Sequence, residues 1–202
     1  MGKRTGIMGG TFDPIHIGHL VTAEEAATQF RLDTVVFVPT GEPWLKESHR
    51  GYEVTAGEHR YLMTVIATAG NPRFTVSRKE IDRGGPTYTV DTLTEVREEL
   101  GPNTELFFIT GADAMLEIFA WKDPEEVLVL AHFIAATRPG FDLAHFEREA
   151  PTSHPNITVM DIPALSISSS DIRARVRDGR PIRYLVPAGV QEYIQKEGLY
   201  RS

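Results

Sequence analysis

The chain contains no cysteine. That absence excludes a disulfide framework, a zinc–thiolate centre and a cysteine nucleophile, and it is compatible with a reducing compartment. Positive charge is not in excess either: 21 Lys and Arg stand against 28 Asp and Glu, for a net charge of −7. General nucleic-acid binders carry a basic excess or stripe. Nucleic acid is therefore not an expected partner, although a local site for one anionic nucleotide is allowed. No run approaches the roughly 18 apolar residues read as a membrane-spanning helix. Met1-Gly2-Lys3-Arg4 leads straight into an apolar strand pattern, without a signal-type segment. The expectation is a soluble, cytoplasmic protein with no membrane partner. There is no internal repeat and no low-complexity stretch, and 202 residues suit one well-cored domain, 1–202.

What is present is an alternation of two periodicities. Short apolar runs rich in β-branched and aromatic residues occur at Thr5–Met8, Thr34–Val38, Phe74–Val76, Leu106–Ile109, His132–Ala135 and, more weakly, Ile157–Met160. Helical patterns lie between them. Thr55-x-x-Glu58 reads as a capping box, followed by Tyr61, Leu62, Val65, Ile66 and Ala69 as one apolar stripe. Leu93, Val96 and Leu100 form a second stripe that stops at Gly101-Pro102, and Val190, Tyr193 and Ile194 a third that stops at Gly198. These stripes read as core. Nearly continuous apolar strands alternating with helices predict an α/β fold, a Rossmann-like doubly wound parallel sheet covered on both faces. In such sheets ligands bind beyond the carboxyl ends of the strands, at the topological switch point.

The run Gly9-Gly10-Thr11-Phe12-Asp13-Pro14-Ile15-His16-Ile17-Gly18-His19 lies at such an end. Two glycines permit a tight turn and close approach to a ligand. Amides at the start of the helix beginning near Ile17 favour phosphate. His16 and His19, three apart, share one side of its first turn. A bare Gly-Gly turn is often only a turn, and a histidine on a first turn is often a cap. No packing argument calls for imidazoles at both positions.

A second signal is Ile167-Ser168-Ser169-Ser170-Asp171-Ile172-Arg173. Serines before a helical run form a natural N-cap. Their hydroxyls and the free amides can also hold a phosphate, with the planar fork of Arg173 beside it. Alone, the segment reads equally well as a plain cap with surface arginines. The least patterned stretch is Thr40 to Val54, with Lys46, His49 and Arg50. It reads either as an ordinary solvated loop or as a mobile lid over phosphates.

The two elements together resemble the His-x-Gly-His and Ile-Ser-Ser-Thr/Ser-x-Ile-Arg signatures of the nucleotidylyltransferase superfamily. Between and after them come Gly85-Pro86-Thr87-Tyr88-Thr89-Val90-Asp91-Thr92-Leu93, Phe108-Ile109-Thr110-Gly111-Ala112-Asp113, Trp121, Arg138-Pro139-Gly140 and Tyr184-Leu185-Val186-Pro187. This ordered set resembles the bacterial nicotinate-mononucleotide adenylyltransferase family over essentially the whole chain.

The resemblance implies adenylyl transfer from ATP to nicotinate mononucleotide, with no covalent intermediate. It implies catalytic roles for His16, His19, Arg173 and Lys46. ATP and its phosphates would be met by Gly9, Gly10, Thr11, Phe12, Gly18, Ser168, Ser169, Asp113 and Arg138. The nicotinate would be met by Tyr88, Thr89 and Trp121: a flat face for the ring and neutral donors for its carboxylate. Trp121 on its own reads as a packing residue, and Asp113 as a helix cap. Magnesium is expected with ATP, bound through phosphate oxygens and water, since no carboxylate cluster marks a protein metal site. Assembly into a homo-oligomer is left open. The chain departs from the family's Pro-His-Lys loop, carrying Pro43-Trp44-Leu45-Lys46 instead.

Other readings compete. A pantetheine-phosphate adenylyltransferase is shorter and has no use for the Thr-Tyr-Thr element or Trp121. An enzyme that accepts the amide differs by one hydrogen-bond reversal. A class I aminoacyl-tRNA synthetase needs a larger chain and a Lys-Met-Ser-Lys-Ser loop. A nucleotide-sensing module would tolerate loss of His16, His19 and Arg173.

Overall fold

The structure, a computed structural model, describes residues 2–42, 53–137, 154–163 and 165–201. Six strands form one parallel sheet: β1 (Arg4–Gly10), β2 (Thr34–Pro39), β3 (Phe74–Val76), β4 (Glu105–Gly111), β5 (His132–Thr137) and β6 (Ile157–Asp161). Their order is β3-β2-β1-β4-β5-β6. Chain order reverses between β1 and β4, which pair in register from Arg4 with Glu105 to Met8 with Ile109. The carboxyl ends of these two strands therefore open side by side at the switch point.

Alternation along each strand divides the core in two. Met8, Phe37, Phe107 and Ile109 point to one face. Ile7, Val38, Phe108 and Phe133 point to the other. The first face is covered by α1 (Ile17–Gln29), α2 (Gly57–Thr68) and α8 (Ala188–Glu197), through Ala23, Ala27, Met63, Val190 and Ile194. The second is covered by α4 (Thr89–Leu100) and α6 (Pro124–Leu130), through Leu93, Val96, Val127 and Leu128. The remaining described helices are α3 (Lys79–Arg83), α5 (Ala112–Met115) and α7 (Ser169–Arg177), with a 3₁₀ turn at Ile118–Ala120. None of the described helices is long and apolar enough to cross a membrane.

The six expected strands are all present, and of the expected stripes Leu93, Val96, Val190 and Ile194 are buried while Leu100 and Tyr193 are half-buried against the core. Helix α4 ends at Gly101 and α8 at Gly198, both with positive φ (79° and 65°), where a residue with a Cβ would be strained. The segment after Thr55 differs from expectation. Helix α2 starts at Gly57 behind Ala56, with no side-chain cap, so the Thr55–Glu58 capping box does not form. The Thr55 backbone is instead held from both sides, its N–H by Asp13 and its carbonyl by Arg60. The buried face of α2 is Arg60, Met63, Thr64 and Thr68, whereas Leu62 and Val65 of the expected stripe are each 36% exposed. An arginine with built-in carbonyl partners has displaced two aliphatic residues from the inner face.

Candidate active site

Gly9 and Gly10 still belong to β1, so the turn is not made by the glycines as expected. It falls at Phe12, whose φ of 50° is in the left-handed region. Phe12 is buried and packs edge-on against His19 with centroids 5.1 Å apart. The glycines make room for rings. A Cβ on Gly10 would lie 2.8 Å from the Phe12 ring, and one on Gly9 would lie 3.2 Å from Phe108.

His16 is the N-cap of α1 and is buried; His19 is half-buried. Their rings stack with centroids 3.7 Å apart and planes 27° apart. The His16 backbone N–H donates to His19 Nδ1 at 3.2 Å. That bond makes Nδ1 the acceptor and leaves Nε2 to carry the ring hydrogen. Gly18 completes the turn, because a Cβ there would come within 3.0 Å of His16 Nδ1. The helix amides are less available than expected. Ile17 N–H donates to the Leu185 carbonyl at 2.9 Å, and His19 N–H to the His16 carbonyl at 3.0 Å.

The serine–arginine element docks onto this turn. Ser168 caps α7 by accepting the Asp171 N–H. The Ser169 hydroxyl donates to the Pro14 carbonyl at 2.9 Å, and Arg173 Nη1 to the Asp13 carbonyl at 2.6 Å. Arg173 thereby grips the turn through the Asp13 carbonyl. The buried Asp13 carboxylate receives the Thr55 N–H at 3.2 Å and the Tyr200 hydroxyl at 2.6 Å. Burial, then the neighbouring Asp13 charge, pushes the Tyr200 phenol far up, so it remains a donor. Asp13 thereby ties the turn to the carboxyl-terminal end of the described chain.

Arg60 was not legible as a site residue. It is 1% exposed and donates to three carbonyls: Thr55 at 2.7 Å, Thr11 at 2.9 Å and Gly41 at 2.9 Å. It joins the ends of β1 and β2 from beneath. Its sequence signal is a charged residue beside an apolar periodicity, which ordinarily marks a solvent face.

Beyond the ends of β1 and β4 lies a cavity of about 250 Å³, walled by Gly9, Gly10, Tyr88, Thr89, Phe108 and Trp121 among others. The structure thus brings together the three residues expected to meet the acceptor. Tyr88 is the N-cap of α4 and Thr89 its first residue. Trp121 is half-buried, and its ring meets Phe108 at 6.1 Å and 76°. A cation also stands there, beyond the neutral donors expected. Lys122 lines the cavity, with Nζ 4.7 Å from the Tyr88 ring centre and 3.1 Å from Asp91. Glu80 and Thr92, also unforeseen, complete that wall. Asp113 is exposed in the first turn of α5, just after β4. Lys46, Arg138 and Trp44 lie outside the described residues. No cluster of three His, Asp or Glu suited to a metal occurs among the described residues.

A sheet of this order, with paired imidazoles and a serine–arginine helix at its switch point, defines a nucleotide-binding α/β fold of the nucleotidyltransferase type. Residues 7–175 match the cytidylyltransferase-like family. The chain is 59% identical to the probable nicotinate-nucleotide adenylyltransferase of Clavibacter michiganensis subsp. michiganensis, over 98% of this chain and 94% of that one. It is 60% identical to the protein of the same description from Streptomyces coelicolor, over 96% and 100%. The fold is shared with Plasmodium falciparum nicotinic acid mononucleotide adenylyltransferase complexed with NaAD, at a TM-score of 0.75 and 23% identity, covering 98% and 97% of the two chains. The chain belongs to the cytidylyltransferase-like family and, within it, to the nicotinate-nucleotide adenylyltransferases.

Proposed function

We propose that this protein transfers the adenylyl group of ATP to nicotinate mononucleotide, giving deamido-NAD (nicotinate adenine dinucleotide) and pyrophosphate. The observation that carries the reading is the pairing of two features at one switch point. An imidazole–guanidinium cluster sits on the β1 turn, and an aromatic cavity opens beside it between β1 and α4.

An acceptor phosphate oxygen attacks the α-phosphorus of ATP in line. The new P–O bond forms as the bond to the β-phosphate bridging oxygen breaks, and the electron pair leaves with pyrophosphate. The attacking oxygen is already ionised, so no strong base is needed, and catalysis is positioning plus charge stabilisation. His16 and His19 donate to the α-phosphate and the leaving group. Arg173 and Ser169 hold the β- and γ-phosphates, with Ser168 setting the helix that carries them. Gly9, Gly10, Thr11, Phe12 and Gly18 shape the β1 end and the turn against which the ATP phosphates lie. Asp113 meets a ribose hydroxyl, and Lys46 and Arg138 neutralise phosphate from the loops that carry them. Magnesium travels with ATP as part of the substrate, held by phosphate oxygens and water. The reaction belongs to a cytoplasmic setting and involves no nucleic acid or membrane. Assembly into a homo-oligomer is compatible with this reading.

Trp121 supplies the stacking face, so Trp121→Ala is expected to raise the KM for the acceptor about tenfold or more, while the KM for ATP stays near wild type. Steady-state kinetics with each substrate varied in turn check this. The reading as a whole is tested by pyrophosphate release with ATP and magnesium, comparing nicotinate mononucleotide, nicotinamide mononucleotide and phosphopantetheine. Release with the nicotinate form and much less with the others is expected. Equal release with the amide would refute the acceptor pocket, and release with phosphopantetheine alone would refute the assignment.

A further inference from the structure

Two carboxyl groups stand on the wall of the acceptor cavity, and the proposed reaction uses neither. Glu117 is exposed, whereas Glu80 is only 5% exposed. Glu80 Oε1 accepts the Thr92 hydroxyl at 2.6 Å. The Thr92 hydroxyl in turn accepts Arg83 Nη2 at 3.0 Å. Glu80 Oε2 is buried and has no hydrogen-bond partner among the described residues. The Thr92 hydroxyl thus fixes the carboxyl through Oε1, in the same wall as Tyr88 and Thr89.

We propose that Glu80 is a specificity-determining residue of this pocket: a carboxylate-bearing ring enters only when Glu80 is uncharged, whereas an amide-bearing ring enters in either state. The inference rests on the proposed reaction. Two carboxylates sharing a pocket of low polarity cannot both stay ionised at small cost. A protonated Glu80 adds no charge to the wall that a ring carboxylate must approach. An ionised Glu80 opposes a second carboxylate across that wall and leaves a neutral amide unpenalised.

Burial sets the balance. It pushes the Glu80 carboxyl up to about 7, against the Thr92 hydroxyl, the Arg83 charge and the Gly41 backbone, which pull it down; the Glu95 charge adds to the rise. The other charged groups at this wall, among the described residues, are Lys122 and Glu117, which line the cavity, and Asp91 of α4, which pairs with Lys122 and lies 3.9 Å from Arg83. Both cations are already matched to acids of α4: Arg83 to Glu95 at 3.0 Å, and Lys122 to Asp91 at 3.1 Å. Neither therefore offsets a second anion in full. The sign follows. Below about 7 Glu80 is neutral and the acid acceptor is admitted. As pH rises past that value, the acid acceptor alone is penalised.

The test is the ratio of kcat/KM for nicotinate mononucleotide to that for nicotinamide mononucleotide, from about pH 6 to about pH 8.5, in wild type and Glu80→Gln. Ionisations of ATP, of the acceptor phosphate and of the histidines cancel in the ratio. In wild type the ratio is expected to be level below 7 and to fall above it, towards about tenfold per pH unit. In Glu80→Gln it is expected to be level throughout. A level wild-type ratio, or the wild-type slope persisting in Glu80→Gln, would overturn the proposal. A second measurement needs no variant: calorimetric binding to wild type near pH 8 in buffers of different ionisation enthalpy. Close to one more proton should be taken up with the nicotinate than with the nicotinamide form, and equal uptake would overturn the proposal. Absence of turnover with both acceptors would refute the proposed function itself, and this inference with it.

Discussion

His19→Ala is expected to lower kcat by roughly 10²–10³, equivalent to the roughly 2.7–4 kcal/mol by which a positioned oxyanion donor stabilises a transition state. The KM for ATP should change by less than about threefold, because the donor acts on charge that builds up only during transfer. His19 is placed for this role in three ways. The His16 N–H fixes its tautomer, the His16 ring stacks on it at 3.7 Å, and Phe12 packs against its edge. A donor held this firmly needs no reorganisation as the pyrophosphate leaves. His16→Ala should be at least as costly, and it also removes a buried N-cap residue. Because the rings touch, the double variant should cost clearly less than the product of the two single effects. Single-turnover rates with saturating ATP check this. A His19→Ala rate within about threefold of wild type would remove the imidazole from the chemical step.

The second large effect is expected at a residue that meets no substrate. Arg60→Leu is expected to destabilise the protein by roughly 2–6 kcal/mol, because one buried carbonyl, on Thr11, and two half-buried ones, on Thr55 and Gly41, lose a charged donor at once. That is a large share of the roughly 5–15 kcal/mol that holds a domain folded. Two of those carbonyls, on Thr11 and Gly41, lie 49 and 19 positions away in the chain. The guanidinium adds to the β1–β2 pairing, which ends at Gly10 and Pro39, and to the Thr40 N–H bond to the Gly10 carbonyl, so the turn that carries His16 and His19 should lose a fixed point just past the strand ends. Arg60→Lys keeps the charge but replaces a planar fork with a point donor. It should recover part of the stability and less of the kcat, with the KM for the acceptor moving least. Urea unfolding and kinetics on the folded fraction separate the two effects. A loss below about 1 kcal/mol would show that the carbonyls find other donors.

The sheet was legible because all six strands are short apolar runs bounded by breakers, and parallel strands buried on both faces cannot be amphipathic. The histidine and serine–arginine elements were legible as local patterns. Their docking was not, since Ser169 and Arg173 reach Pro14 and Asp13 across 155 and 160 positions. Arg60 and Glu80 were missed for a common reason. Hydropathy assigns charged side chains to solvent, whereas these two are buried with partners that only the fold supplies. The same rule put Leu62 and Val65 inside. The Thr55 capping box failed because its backbone is needed by Asp13 and Arg60. The glycine pair was recognised, but its purpose is room for Phe12 and Phe108 rather than a turn. Helices α3, α5 and α6 were too short to show a helical period.

The most direct measurement is the fate of label from ATP carrying ³²P at either the α- or the γ-position, incubated with nicotinate mononucleotide and magnesium. Adenylyl transfer requires the α-label to appear in the dinucleotide and the γ-label to appear in pyrophosphate. Label from the γ-position on the acceptor, or no acceptor-dependent movement of the α-label, would contradict the account.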